Sequence, residues 1–304
     1  MDVDFLGLTF TPIEIGEQAR LTELLTRYPQ PLSDYTLASL LVWSRVYRYH
    51  HAFVGTDTLL VSTLFGGQRR PSLLQPIGQF PEAMQETLLE RARKLPEPLQ
   101  IESVSEAFLQ TYAGFAAHFE ITPVRDSANY VYTVTDLAGL SGRRYAGKRN
   151  LIAQASRLQS LSVEPLDPSR SGQCIEVVDD IATKRASGVG LTLEQETQAL
   201  ECALELFAPL GLKGLVLRVD GRPAAFSIFD RLNPTTAVVL FERALRTEKG
   251  LYQVINRETA RVIEGLGFSL GNREEDLGDP GLRKAKLSYY PTRLEMKYTL
   301  TLRA

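Results

Sequence analysis

The chain has 304 residues, 44% of them hydrophobic and 23% charged, an ordinary soluble globular balance at a length that predicts two domains. Lys and Arg number 34 against 36 Asp and Glu, a formal net charge of −2 that excludes a globally cationic nucleic-acid binder but leaves room for a local basic patch. Two cysteines, Cys174 and Cys202, build neither a disulfide framework nor a four-thiolate zinc site, and no signal peptide or membrane-length apolar run is present, so a soluble, cytoplasmic protein without a transmembrane segment is expected.

Taken in order, residues 16–28 read as a short amphipathic helix stopped by Pro29 and Pro31, and residues 35–49 place apolar side chains near helical spacing. Ala52–Val54 and Thr58–Leu64 flank Gly55-Thr56-Asp57 as a hairpin, and Ser72–Ile77 reads as a further strand. A helix over 81–95 opens with Pro81 in its first turn, a second helix covers 105–118, and Tyr130–Val134 alternates as a strand. In the second half Thr192 and Gln195 form a capping box. The helix it opens carries Ala199, Leu200, Ala203, Leu204 and Phe207 on one face. Leu215–Val219, the turn Asp220-Gly221 and Ala224–Phe229 form the clearest hairpin signal. Ala237–Phe241 is an apolar run of strand length, Leu251–Leu266 a helix ended by Gly267, Phe268–Leu270 the start of a strand, and Tyr298–Leu302 the last strand.

Each half therefore runs helix, hairpin, strand, helix, strand. That is the order of the Gcn5-related N-acetyltransferase fold, an α+β fold with a mixed, mostly antiparallel sheet, flanking helices and central strands that splay. Two such domains in tandem are expected, residues 1–145 and 146–304, with the active groove in the second. The stretch 271–297 is too polar for core yet lies between strand-like segments. Its Arg273, Arg283, Lys284 and Lys286 suit a phosphate or another anion, and Glu274, Glu275 and Asp276 suit an amine. Lys286, between Ala285 and Leu287, is read in a strand-like context. The alternative is a solvated loop whose charges pair with one another.

Residues 130–150 (YVYTVTDLAGLSGRRYAGKRN), 239–244 (VLFERA), 250–258 (GLYQVINRE) and 272–291 (NREEDLGDPGLRKAKLSYYP) resemble the family of the phosphatidylglycerol lysyltransferase C-terminal domain. That family is similar to the peptidoglycan aminoacyltransferases in having two tandem acetyltransferase-like domains. Its characterised members move an amino acid from aminoacyl-tRNA to a lipid headgroup. Lipid-modifying members carry a large N-terminal membrane portion, so the resemblance is to soluble, stand-alone members, whose acceptor, a small molecule, a peptide or a lipid headgroup, stays open.

The resemblance implies acyl transfer, with aminoacyl-tRNA as the donor and tRNA as a partner. The alternatives are an acetyl-coenzyme A-dependent N-acetyltransferase and a non-catalytic binding module on the same fold. Ordinary acetyltransferases hold pyrophosphate on backbone amides where a helix begins. Here the corresponding stretch is Arg246-Thr247-Glu248-Lys249-Gly250-Leu251, in which Lys249 and Leu251 replace small residues and crowd such a cradle. No permanently bound cofactor is expected, and His50, His51 and His118 form no metal pattern. Glu242, ending an apolar strand, and Asp276 are the candidate groups for the proton or the ammonium. Glu242 has a salt bridge to Arg243 or Arg246 as its alternative. Arg273, Arg283, Lys284 and Lys286 are the candidates for donor phosphates, and Tyr252 and Asn256, one helical turn apart, for a carbonyl or ribose. Arg144, Tyr145, Lys148 and Arg149 are the groove or nucleic-acid candidates, cations beside a stacking ring, with a solvated interdomain helix as the alternative.

Overall fold

The computed structural model describes residues 2–63, 72–157, 160–167, 169, 172–182, 193–245 and 248–303. Thr192 of the expected capping box, and Arg246 and Thr247 of the expected phosphate stretch, lie outside the described residues. Two compact units emerge, one of residues 1–128 and 295–304, the other of residues 129–294.

The first unit begins with β1 (Val3–Phe5) and β2 (Leu8–Pro12), followed by α1 (Gln18–Arg27) and α2 (Leu37–Tyr47). Leu21 and Leu24 are the buried stripe of α1. Thr36 caps α2 by accepting from the Ser39 N–H. Next come β3 (His50–Val54), β4 (Thr58–Ser62), β5 (Ser72–Leu74), the two-residue β6 (Ile77–Gly78), α3 (Glu82–Ala92) and β7 (Gln100–Ser105). Pro81 is the N-cap of α3 rather than its first helical residue. The helix expected over 105–118 is two, α4 (Glu106–Thr111) and α5 (Ala113–Ala116), broken where Tyr112 leaves helical geometry.

The long strand β8 (Phe119–Thr133) leads into the second unit, which continues with α6 (Val134–Gly139), α7 (Ala146–Ala155), β9 (Ser162–Pro165), α8 (Gly172–Ala182) and α9 (Leu193–Glu205). It is completed by β10 (Lys213–Val219), β11 (Arg222–Arg231), β12 (Thr236–Ala244), α10 (Leu251–Gly265), β13 (Leu270–Asn272) and α11 (Pro280–Leu287), before β14 (Arg293–Leu302). Contacts divide the chain between residues 128 and 129, ahead of the expected 145/146 boundary. The physical reason is the core: Val134, Leu137, Ala138, Tyr145 and Ile152 pack with Leu251, Val254, Ile255 and Ile263 of α10.

In the first unit the strand order is β1-β2-β3-β4-β5-β7-β14, with β6 pairing β4. In the second it is β8-β13-β12-β11-β10-β9. Each contains antiparallel strands followed by one parallel pair: Ser72–Leu74 beside Gln100–Glu102 in the first, Thr236–Val238 beside Leu270–Asn272 in the second. α3 and α10 are the crossovers that such parallel neighbours require. Each unit also takes its last strand from elsewhere in the chain. β14 pairs with β7, and residues 131–133 of β8 pair with β13. Among the described residues no helix is long and apolar enough to cross a membrane.

Candidate active site in the gap beside strand β12

The parallel ladder between β12 and β13 lasts three residues. β12 runs on to Ala244, whereas the chain beyond Asn272 stays with β8: Arg273 N–H donates to the Tyr130 carbonyl (2.9 Å) and Tyr130 N–H to that of Glu274 (3.1 Å). Glu274 and Leu277 adopt left-handed backbone (φ +53° and +51°), which takes the segment out of strand geometry. From Val239 onward β12 therefore has no β13 partner on that edge.

Two side chains meet in this parting. Arg273 Nη2 lies 2.7 Å from Glu242 Oε1, the side chains being 13% and 8% exposed. Asn256, from α10, donates Nδ2 to the other carboxylate oxygen at 3.3 Å. The guanidinium sits over Tyr289 (5.1 Å to the ring centre) and Tyr132 (5.7 Å). Burial opposes its charge, but Glu242 and the two tyrosines hold its pKa above the ordinary value. Burial also raises both tyrosines, Tyr289 to about 12. Glu242 is not paired with Arg243, whose guanidinium reaches Glu196 at 2.9 Å instead.

α11 supports the gap. Asp279 caps it through the Leu282 N–H (2.6 Å), with Pro280 in its first turn. Lys286 therefore stands on a helix rather than in a strand-like run. It is buried, donates to the Arg273 carbonyl, and lies 5.6 Å from the Tyr130 ring centre. Burial and the Arg273 charge lower its pKa to about 8. Asp276 is fully buried and accepts from Arg283 Nε (2.8 Å) and Nη2 (2.7 Å), from the Tyr130 hydroxyl (2.5 Å) and from the Gly278 N–H (2.9 Å). Burial pushes its carboxyl up, but these donors prevail and hold it well below the usual carboxylate range. Asp276 and Arg283 are thus committed to each other, fastening the 273–283 turn. Lys284 is exposed and borders a shallow depression of about 530 Å³ with Pro280, Arg283, Leu287 and Ser288.

The second basic cluster separates. Lys148 turns toward the gap, donating to Ser288 Oγ (2.6 Å) with its ammonium 4.0 Å from the Tyr289 ring centre; burial first, and then Arg273, lower its pKa to about 8. Arg144 pairs with Asp136 (2.9 Å) and lies over Tyr145 and Tyr290. Tyr145 is buried and donates to the Tyr289 carbonyl at 3.0 Å. Arg149 donates to the carbonyls of Leu140 (2.5 Å) and Gly142 (2.7 Å) after α6. Tyr252 is half-buried against the core, within electrostatic reach of Arg243.

Sequence reading missed Tyr132, Tyr289, Ser227 and Thr259. Thr259 follows Asn256 by three positions and so shares its helix face, a spacing visible in the sequence. Ser227 is the residue opposite Glu242 across β11 and β12, hence on the same sheet face. Among the described residues, buried side-chain polar atoms of Ser227, Asn256, Thr259 and Arg273 lack a hydrogen-bond partner. Such atoms are rare in folded proteins and concentrate where a ligand or water completes them.

The start of α10 packs closely against α7. Gly250 has φ +96°, and a Cβ there would lie 2.1 Å from the Leu151 carbonyl oxygen of α7. Gly250 and Leu251 are both buried.

The strand order, the crossover α10 and the parting of β12 from β13 define an acetyltransferase-like α+β fold, the scaffold of acyl-transfer enzymes. More particularly, residues 25–301 match the family described as phosphatidylglycerol lysyltransferase, C-terminal, and the chain belongs to that family. It is similar to a conserved protein of unknown function from Bacteroides thetaiotaomicron, with 29% identity, TM-score 0.87 and coverage of 97% of this chain and 100% of that one. The L-PGS of Bacillus licheniformis shares the fold at 15% identity and TM-score 0.67, over 94% and 92% of the two chains. A tandem GNAT protein from the clavulanic acid biosynthesis pathway does so at 12% identity and TM-score 0.50, over 98% and 99%. No curated protein matches this chain.

Proposed function

We propose that the chain is an acyltransferase whose second unit passes an aminoacyl group from aminoacyl-tRNA to an amine or hydroxyl acceptor at the Glu242–Arg273 pair. The observation that carries this reading is the pair itself, nearly buried where β12 loses its neighbour. A carbonyl entering the parting meets a fixed guanidinium, and an acceptor meets a fixed carboxylate. In the transfer, the acceptor nitrogen or oxygen bonds to the acyl carbon, and the ester bond to the terminal ribose oxygen breaks. The acceptor's proton passes to Glu242 and on to the leaving oxygen. Arg273 faces the charge that develops on the carbonyl oxygen.

Family membership and the likeness to L-PGS support this donor. Lys249 and Leu251, which stand where small residues would line a pyrophosphate cradle, support it over coenzyme A. Lys284 and Lys148, rather than the committed Arg283, are the side chains proposed for donor phosphates.

The test incubates the purified chain with a mixture of radiolabelled aminoacyl-tRNAs and candidate amine and hydroxyl acceptors, and follows transferred label. Wild type is expected to transfer, and Glu242→Gln to transfer about 100- to 10,000-fold more slowly. No transfer by wild type, together with a rise in melting temperature on adding acetyl-coenzyme A, replaces this reading with the acetyltransferase one.

A further inference from the structure

Beside the Glu242–Arg273 pair lies a cavity of about 10 Å³, bounded by Val134, Val239 and Ile263 and by the polar residues Asn256, Thr259 and Arg273. This is about the space one water requires and too little for an organic group. An apolar hole of this size stays dry, but three side chains lining this one carry unpartnered buried atoms: Arg273 Nη1, Asn256 Oδ1 and Thr259 Oγ1. Asn256 and Thr259 are 3% and 1% exposed, so bulk solvent does not satisfy them.

Their chemistry is complementary to a single water. Arg273 Nη1 only donates. The orientation of Asn256 is settled by Glu242, which accepts from Nδ2 and leaves Oδ1 as an acceptor. The Thr259 hydroxyl does either. A water accepts from Arg273, donates to Asn256 and closes the third bond with Thr259 in whichever sense remains. None of the three is hydrogen-bonded to another.

We propose that this cavity is an internal water site joining α10 to the chain just beyond β13. The water does not touch Glu242. It fixes the two side chains that do, Arg273 on one carboxylate oxygen and Asn256 on the other, and so holds the carboxylate from behind both partners. The proposal holds whether or not the acyl-transfer reading does, because its test is structural.

That test is a crystal structure of the full chain at a resolution showing ordered solvent, alongside Thr259→Val and Thr259→Ser. The expected result is a single peak roughly 2.7–3.2 Å from all three atoms, kept in Thr259→Ser and lost in Thr259→Val. A dry cavity, or one closed by a direct bond between any two of the three side chains, overturns the proposal. So does a peak unchanged in Thr259→Val. Should Thr259→Val fail to fold, the wild-type density decides alone.

Discussion

Replacing Arg273 by Met isolates the energetics of the central ion pair. The two side chains are 13% and 8% exposed, so the change strands a carboxylate largely out of water. Breaking a buried pair from one side costs about 3–5 kcal/mol. Part of this is offset, because Glu242 keeps its bond from Asn256, long at 3.3 Å, and a bond to a charged group is worth about 1.5 kcal/mol at the weak end. The expected loss is therefore about 1.5–3.5 kcal/mol. Glu242→Gln should cost a similar amount, since it strands the guanidinium. The double variant, with no unpaired charge, should recover at least about 2 kcal/mol relative to the sum of the singles. The assay is equilibrium urea unfolding followed by far-ultraviolet circular dichroism. Trp43, the chain's one tryptophan, lies in the first unit, so its fluorescence separates that unit's transition from the second's. Singles costing under about 1 kcal/mol and adding to within about 0.5 kcal/mol would refute the claim that these groups form a coupled buried pair.

Gly250→Ala should destabilise by about 2 kcal/mol or more, read as a lower midpoint, because its backbone is left-handed and Leu151 occupies the space. Gly147→Ala in α7, where a new Cβ meets nothing within 4 Å, should instead stabilise by about 0.5–1 kcal/mol. The folded pKa of Asp276 is depressed, so its contribution is present above the unfolded value of about 4 and lost as pH falls below it. Asp276→Asn should be less stable at pH 7 and lose less on acidification from pH 4 downward, as measured by melting temperature against pH. Lys148 should acylate with amine reagents with a midpoint near pH 8 by mass spectrometry, and a midpoint above 10 would contradict its placement beside Arg273.

The frame of the second unit was legible because its elements carry local signals. The Asp220-Gly221 turn joins β10 to β11 as read, and the apolar spacing from Leu251 yields α10. The order of elements, and through it the acetyltransferase-like fold, follows from these. α11 was missed although Asp279 followed by Pro280 is a helix-start signal, because the charge density of 272–286 suggested a loop. Glu242, Asn256 and Arg273 come together as a strand end, a helix face and a post-strand position, the kind of convergence that strand order makes readable. The pairing of Asp276 with Arg283 was not readable in the same way. Whether cations seven or ten residues from an acid turn inward or toward it depends on turns set by Glu274 and Leu277, non-glycine residues with positive φ that no sequence preference announces. The orphaned hydroxyls of Ser227 and Thr259 gain meaning only once their neighbours are known.

The most direct test of the central claim is a crystal structure of the chain with a non-hydrolysable aminoacyl-adenosine, in which an amide replaces the ester. The acyl carbonyl should lie between Val239–Ala244 of β12 and Arg273, within hydrogen-bond reach of the guanidinium, with the Glu242 carboxylate on its acceptor side. An analogue bound away from this parting, with the Glu242–Arg273 pair untouched, would contradict the account.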